Sequence, residues 1–443
     1  MKLARLFVAL GITSCFVTPP VAADIYVDAT QAPTRVIDPN YFAVHFHRIV
    51  VLPTEKAIPT QWPPLQFGGM RLWDTVTRWG NVAPSAGVWE FARMDTFVDT
   101  AIKNNAEVLY TLGSTPRWAS ARPDEKCPYG FGCGAESIRL AHWEEYVRRV
   151  AQRYGNRIQA YELWNEPYFS DFERDVGKPG FFTGSVQQMA AMAKSARKIL
   201  DEVAPNAKLC TPGFVNGPDR LEKFLADGGA QYVQAVCYHF YSEGTDHFAK
   251  QVIDVRAIMK RQGVEHLPLW NTETAVDTLL PTDPPSGISA RTREDATARL
   301  NQLLILGAAA GLERFYYYAW DNSRSGMVTA DGQKIFGFEA MQKVHEWLTG
   351  VKFLGCRSNG PLVSCLATKG DEQSLFVWAT KQTEAAVSLP VGTRIATAQR
   401  LFGVAPALSP AVLSGGAKMA FDLVPVRFQL ESKLVKPLGK AKP

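Results

Sequence analysis

An alternation of strand-like and helix-like segments between about residues 41 and 350 most constrains the fold of this chain. Short apolar runs are separated by amphipathic stretches such as 138–154, in which Trp143, Tyr146 and Val150 recur at helical spacing. That periodicity places one apolar face of each helix against a sheet. The alternation predicts parallel strands with crossover helices, and eight such units close a (β/α)8 TIM barrel in the α/β class. The eight candidate strands are 42–46, 69–73, 107–112, 158–164, 208–212, 235–240, 267–272 and 314–319.

The pattern changes after Gly350, where short β-type runs are separated by Gly, Pro and Asn turns and no long helical pattern remains. This texture predicts a small C-terminal antiparallel β-sandwich domain. The predicted organisation is a signal peptide (1–23), an N-terminal strand joining the β domain (24–40), the (β/α)8 barrel (41–350), a β-sandwich (351–430) and a basic tail (431–443).

The N-terminus has the features of an export signal. Lys2 and Arg5 precede an apolar run, and small residues stand before Asp24. The run is too short to span a bilayer, so we expect a secreted or periplasmic protein without a stable membrane span. Anchoring of a lipoprotein through Cys15 is the alternative.

Six cysteines follow the predicted leader, an even number that suits an oxidising compartment. Cys127 with Cys133, and Cys356 with Cys365, bracket turn-rich loops that short disulfides could close. Two cysteines on strand-like runs are candidates for free core thiols: Cys210 and Cys237. Since no cysteine pair has zinc-site spacing with histidines, the sequence predicts neither a metal site nor a cofactor.

The net charge of +5 falls to +3 without the two basic residues of the leader. This bias is too weak to indicate a nucleic-acid partner. The sequence does not reveal protein partners or the oligomeric state.

Two glutamates stand at the ends of candidate strands. Glu166, within Trp-Asn-Glu-Pro, follows the strand that Pro167 must end, because proline cannot donate to a sheet ladder. Glu273 ends a second apolar run 107 positions later, which leaves room for two or three βα units. Because carboxyl ends of barrel strands share one mouth, the two carboxylates could face each other, as glycoside cleavage requires. The nearest rivals are Asp74 and Asp277.

With these motifs the chain resembles the clan A retaining glycoside hydrolases, and is most similar to glycoside hydrolase family 39 over residues 40–350. The resemblance implies that Glu166 is the acid/base, that Asn165 binds the sugar 2-hydroxyl, and that Glu273 is the nucleophile. The Asn-Thr-Glu-Thr context of Glu273 is a weak motif, and the loop from Cys127 to Cys133 does not map onto the family pattern.

The same resemblance suggests further substrate-binding residues. His239 and Tyr241 match a His-x-Tyr element whose tyrosine orients the nucleophile. Arg71 matches an arginine beside the nucleophile, where its charge would lower that carboxyl's pKa, although a plain buried salt bridge is the alternative. Trp320 matches an aromatic platform under the reacting sugar.

Three more residues are less specific candidates for sugar contact. His45 and His47 share one face of the first strand, and satisfied core histidines are the alternative. Trp118 could line the cleft or pack in the core.

The expected activity is hydrolysis of O-glycosidic bonds in an oligo- or polysaccharide by double displacement through a covalent glycosyl-enzyme. A bacterial exopolysaccharide and a xylose-containing glycan are both candidate substrates. The alternatives are a catalytically inactive carbohydrate-binding or matrix protein, and a transglycosylase with the same residues. The sequence does not separate endo from exo action.

Overall fold

The computed structural model describes residues 35–432 except 57, 243, 277–291, 323–324 and 330. The predicted signal peptide, Cys15, Asp277 and nearly all of the basic tail lie outside these residues.

The larger part of the described chain is built around a parallel sheet of eight main strands. Each strand falls within or overlaps one predicted segment. The strands are β1 (Phe42–His45), β2 (Gly69–Leu72), β3 (Glu107–Thr111), β4 (Ala160–Glu162), β5 (Lys208–Cys210), β6 (Val236–His239), β7 (Leu269–Thr274) and β8 (Arg314–Tyr317). Consecutive strands from β1 to β5 are paired, β8 pairs with β1 and β7, and β7 pairs with β6.

The sheet closes between β5 and β6. A parallel bridge joins Cys210 to Ala235, and the short strand Phe214–Val215 beyond β5 pairs with the end of β6. The predicted TIM barrel is therefore confirmed.

The helices surround this barrel. They are α1 (Trp79–Val82), α2 (Ala92–Lys103), α3 (Leu140–Tyr154), α4 (Val186–Val203), α5 (Pro218–Ala226), α6 (Thr245–Arg261), α7 (Arg293–Ala309) and α8 (Phe338–Leu348). In α3 the predicted apolar stripe is buried, since Trp143, Tyr146 and Val150 are all fully covered. The described residues between β1 and β2 contain no α-helix. No helix in the described part of the chain is long and apolar enough to cross a bilayer.

An antiparallel β domain follows α8. Its five-stranded sheet has the order β9–β10–β11–β15–β13, and a two-stranded sheet pairs β12 with β14. The strands are β9 (Lys352–Asn359), β10 (Leu362–Lys369), β11 (Glu372–Ala379), β12 (Thr383–Ala386), β13 (Thr393–Arg400), β14 (Lys418–Phe421) and β15 (Val426–Ser432), with a short helix α9 (Pro410–Leu413) before β14. The predicted C-terminal β-sandwich is thus confirmed.

Both predicted disulfides are formed. Cys127 is bonded to Cys133 in a hairpin beyond β3, and Cys356 is bonded to Cys365 across β9 and β10. The remaining described cysteines, on β5 and the β6 strand, are buried free thiols.

The barrel interior is layered. Its lower layer is a compact group of small and aromatic side chains: Ala43, Leu109, Ala160, Cys210, Ala235, Cys237, Trp270 and Tyr316. Two residues further along five of the strands, the side chains on the same face are polar or charged and fully buried: His45, Arg71, Thr111, Glu162 and His239. Because buried charges are costly unless they are paired, this polar layer marks the end of the barrel where a functional site lies.

Candidate active site

Arg71 organises the polar layer. Its Nη1 donates to Oε2 of Glu273 at 2.6 Å, while its Nε and Nη2 donate to Oε2 of Glu162 at 2.8 and 2.5 Å. Nη2 also donates to Oδ1 of Asn165 at 2.7 Å. Arg71 is fully buried, and the two carboxylates keep its guanidinium charged with a raised pKa despite that burial. The guanidinium therefore fixes β2, β4 and β7 relative to one another and holds both carboxylates in place.

Glu162 is a member of the site that the sequence interpretation missed. It is fully buried, and its Oε2 also accepts from Thr111 Oγ1 at 2.8 Å. Its Oε1 has no hydrogen-bond partner in the described structure and lies 4.0 Å from His239 Nε2. A signal was present, because Glu162 is two residues beyond Ala160 on a strand with inward-facing alternation. A glutamate there requires a buried cation, and Arg71 supplies it.

Glu273 lies near the end of β7 and is only 6% exposed. Tyr241 donates its hydroxyl to Oε1 at 2.8 Å, so each carboxylate oxygen has one strong donor. Arg71 lowers the pKa of Glu273 as predicted, but it is one of several influences on this carboxyl. Burial is the largest influence and raises the pKa of Glu273, whereas His239, Arg71 and the Tyr241 hydrogen bond lower it.

Glu166 lies across the barrel mouth from β7. It follows β4 with φ of +42°, and its backbone N–H donates to the carbonyl of Gly213, beyond β5, at 2.9 Å. His239 Nδ1 lies 2.8 Å from its Oε1. One carboxylate oxygen of Glu166, one of Glu273 and one ring nitrogen of His239 lie within 4.8 Å of one another. The two predicted carboxylates are therefore brought together.

This trio also has the spacing to share a metal ion. Glu273 Oε2 already accepts from the Arg71 guanidinium, however, and that fixed positive charge opposes a second cation at the same carboxylate.

Asn165 is adjacent to this pair. It is 2% exposed, and its carbonyl oxygen accepts from Arg71, which fixes the orientation of its amide group. A parallel bridge from Asn165 to Gly213 holds the backbone.

The two histidines of β1 occupy different environments. His45 is fully buried beneath the mouth, with Nε2 3.0 Å from the carbonyl oxygen of Thr272, and burial lowers its pKa. His47 lies higher, and burial also lowers its pKa. Both rings pack against Tyr318 at 5.0 Å, so these histidines support a tyrosine that the sequence interpretation did not single out.

Of the two predicted tryptophans, Trp320 is buried and Trp118 is partly buried. Trp320 is 1% exposed and is covered by Phe67 and Phe338, which leaves no free face for a sugar platform. Trp118 packs against Trp79 and donates its Nε1 to the carbonyl of Ala83 at 2.8 Å, which corresponds to the core-packing alternative. Sequence could not resolve this, because a strand-end tryptophan has the same pattern in either orientation.

Asp74, the rival carboxylate, lies at the tip of β2 and accepts from two tyrosine hydroxyls. Tyr129 Oη donates to Oδ1 at 2.5 Å and Tyr318 Oη donates to Oδ2 at 2.8 Å. Asp74 therefore belongs to a separate cluster at the mouth rather than to the Glu166–Glu273 pair.

Comparison with solved structures identifies the architecture. A family 39 glycoside hydrolase from Bacteroides cellulosilyticus WH2 aligns with a TM-score of 0.62 and 16% identity, over 82% of this chain and 76% of that one. A glucosidase from Croceicoccus marinus aligns with a TM-score of 0.59 and 15% identity, over 92% and 98%. A family 39 enzyme from Xanthomonas axonopodis pv. citri aligns with a TM-score of 0.56 and 15% identity, over 92% and 96%.

No protein-family model and no curated protein sequence matches the chain. The structural similarity nevertheless extends through the barrel and into the β domain. The chain has the fold of family 39 glycoside hydrolases.

Proposed function

We propose that this chain is a retaining glycoside hydrolase with Glu273 as nucleophile and Glu166 as acid/base. The observation that carries the proposal is that one carboxylate oxygen of Glu166 and one of Glu273 lie within 4.8 Å of each other at the mouth of the barrel. Retaining enzymes hold their carboxyl groups about 5–5.5 Å apart, whereas inverting enzymes leave about 6.5–9.5 Å for a water molecule. The short separation supports direct attack by Glu273.

In the first step, ionised Glu273 attacks the anomeric carbon while protonated Glu166 gives its proton to the departing glycosidic oxygen. A glycosyl–Glu273 ester forms, and the carbon–oxygen bond to the leaving group breaks. Arg71 and Tyr241 supply one donor to each Glu273 oxygen, which orients the carboxylate and favours its charged form.

In the second step, Glu166 accepts a proton from water, which attacks the anomeric carbon and releases Glu273. His239 contacts Glu166 in both stages. With Nδ1 protonated it donates to the Glu166 carboxylate, and its Nε2 then faces Arg71 Nη2 at 3.4 Å. The hydrogen bond from His239 orients Oε1 of Glu166 and leaves Oε2 to exchange the proton with the leaving group and then with water.

The proposed substrate is an oligo- or polysaccharide, with a xylose-containing glycan and a bacterial exopolysaccharide as candidates. The N-terminal export pattern supports action outside the cytoplasm, in the periplasm or as a secreted enzyme. The fold it shares with a glucosidase and with family 39 enzymes supports a carbohydrate substrate.

The test is release of new reducing ends from xylans, β-glucans and bacterial exopolysaccharides, with products sized by mass spectrometry. Wild type is compared with Glu166→Gln and Glu273→Gln. The matched control is Glu313→Gln. Glu313 directly precedes β8 at the opposite end of the barrel, and its carboxylate accepts a hydrogen bond from Trp270 Nε1. We expect activity from wild type and the control, and at least about a 10³-fold loss in both site variants.

Equal activity in all four proteins would refute the assignment of the two carboxylates. Sugar binding without turnover in wild type would favour the inactive binding protein. Products longer than the substrate at high acceptor concentration would identify a transglycosylase.

A further inference from the structure

We propose that the hairpin closed by Cys127 and Cys133 completes a subsite for a neutral sugar around Asp74, on the glycone side of the cleft. This inference rests on the proposed glycosidase function for its orientation along the substrate, but the residues that form the subsite are distinct from the two carboxylates.

Asp74 has the geometry of a hydrogen-bonding centre rather than of a surface residue. Its two oxygens each accept one tyrosine hydroxyl, from Tyr129 and Tyr318, and its side chain remains 27% exposed. A carboxylate oxygen can accept a second hydrogen bond, so one acceptor position on each oxygen stays available to a ligand. The backbone is also held in an unusual form, because Asp74 and Val76 both have φ near +57°. Such conformations in non-glycine residues are concentrated at functional sites.

The hairpin positions one of the two tyrosines. Strands Lys126–Cys127 and Gly130–Phe131 pair, and the disulfide closes the turn that carries Tyr129. The Tyr129 ring packs against Trp73 at 5.7 Å and Phe181 at 5.6 Å, while the Arg78 guanidinium covers it at 3.5 Å. A segment inserted between β3 and α3 is thereby fixed at the tip of β2.

The second tyrosine connects the cluster to the nucleophile. The Tyr318 N–H donates to the carbonyl of Thr274, the residue after Glu273, at 2.8 Å. Burial and the charge of Asp74 are the main causes of the raised pKa of Tyr318 and Tyr129, and the charge of Glu273 adds to both. The Asp74 cluster therefore lies within electrostatic reach of the proposed point of attack.

The position of the cluster around the barrel assigns it to the glycone. Tyr318 follows β8 and Asp74 follows β2, which are the neighbours of β1 on either side. Glu166 lies between β4 and β5, on the opposite side of the mouth. The acid must face the leaving group, so the sugar that forms the ester and any sugar beyond it extend towards Asp74.

The chemistry of the cluster favours a neutral sugar. Asp74 can accept hydrogen bonds from two sugar hydroxyls, whereas a uronate carboxylate would be repelled by it. The one cation at the cluster among the described residues is Arg78, whose Nη1 is 3.6 Å from Asp74 Oδ1, so its charge is already paired.

The test uses Glu273→Gln protein on a microarray of xylo-, cello- and manno-oligosaccharides and uronate-containing oligosaccharides, alongside kinetics of the active protein. Three changes are introduced into each: Asp74→Asn, Tyr129→Phe, and paired Cys127→Ser with Cys133→Ser. The matched control is paired Cys356→Ser with Cys365→Ser, which removes the disulfide of the β domain. Thermal denaturation verifies that each variant is folded at the assay temperature.

We expect neutral oligosaccharides to bind and uronates to bind poorly. Loss of a charge-assisted hydrogen bond should weaken binding and raise KM about tenfold in Asp74→Asn. Tyr129→Phe and the hairpin disulfide variant should each raise KM at least about threefold with kcat within about twofold, because they alter binding of the glycone rather than chemistry. The control should leave KM unchanged.

The subsite is refuted if no neutral oligosaccharide binds, or if the hairpin variants match the control while wild type hydrolyses a glycan. Binding that depends on Asp74 and Tyr129, with no hydrolysis by wild type, would leave the subsite intact and overturn the proposed glycosidase function instead.

Discussion

Removal of the Tyr241 hydroxyl should shift the pH dependence of catalysis in a direction that the structure fixes. This hydroxyl donates to Glu273 Oε1 at 2.8 Å and lowers the pKa of Glu273 against the effect of burial. In Tyr241→Phe the ionised form loses a charge-assisted hydrogen bond in a site that is only 6% exposed. Such a bond contributes about 1.5–3 kcal/mol, so its loss raises the pKa of Glu273 and lowers kcat/KM on the acid side by about 10- to 100-fold.

The assay is the pH profile of kcat/KM, because its acid limb reports ionisation of the nucleophile in the free enzyme. As the proposed nucleophile, Glu273 must be ionised to attack, so a higher pKa moves that limb to higher pH and lowers activity most on the acid side. Tyr238→Phe is the matched control, since Tyr238 is on β6 and its hydroxyl accepts a hydrogen bond from the Gly217 N–H instead of donating to Glu273. An acid limb that stays in place, or moves equally in the control, would refute the proposed role of Tyr241.

Two further predictions concern stability. Glu162→Gln should lower the free energy of unfolding by about 3 kcal/mol in urea titrations, because Arg71 loses a fully buried charged partner; a loss no larger than that of Glu313→Gln would contradict the account. Glu273→Gln should become more stable relative to wild type as pH rises. The raised folded-state pKa of Glu273 means that its contribution to stability is greatest below the unfolded-state pKa and is lost as pH rises through the folded-state value. Urea midpoints at a series of pH values measure the difference. A fall in the stability of Glu273→Gln relative to wild type as pH rises would show that Arg71 more than offsets burial of this carboxylate.

Sequence periodicity was sufficient for the barrel, because each buried parallel strand is a short apolar run and each crossover helix has one apolar face. It also located Glu166 and Glu273, since a polar residue that ends such a run lies at the barrel mouth. Local patterns carry this information because strand direction and strand end determine where the side chain points.

The partners of those residues depend on contacts between distant segments, which a local pattern does not encode. Glu162 was overlooked because its role in the site depends on a hydrogen bond to Arg71, which is 91 positions away in the sequence. Tyr129 was overlooked because its hairpin meets Asp74 only after folding. Trp320 was assigned to the cleft from its place after β8, but Phe67 and Phe338 cover it.

The most direct test of the central claim is trapping of the covalent intermediate. Wild-type protein is incubated with a 2-deoxy-2-fluoro glycoside of the sugar that it releases, carrying an activated leaving group, and is then digested and sequenced by mass spectrometry. The account predicts one glycosyl group on the peptide that contains Glu273, and none in Glu273→Gln. A glycosyl group on another carboxylate, or turnover of this reagent without labelling together with inversion at the anomeric carbon, would contradict it.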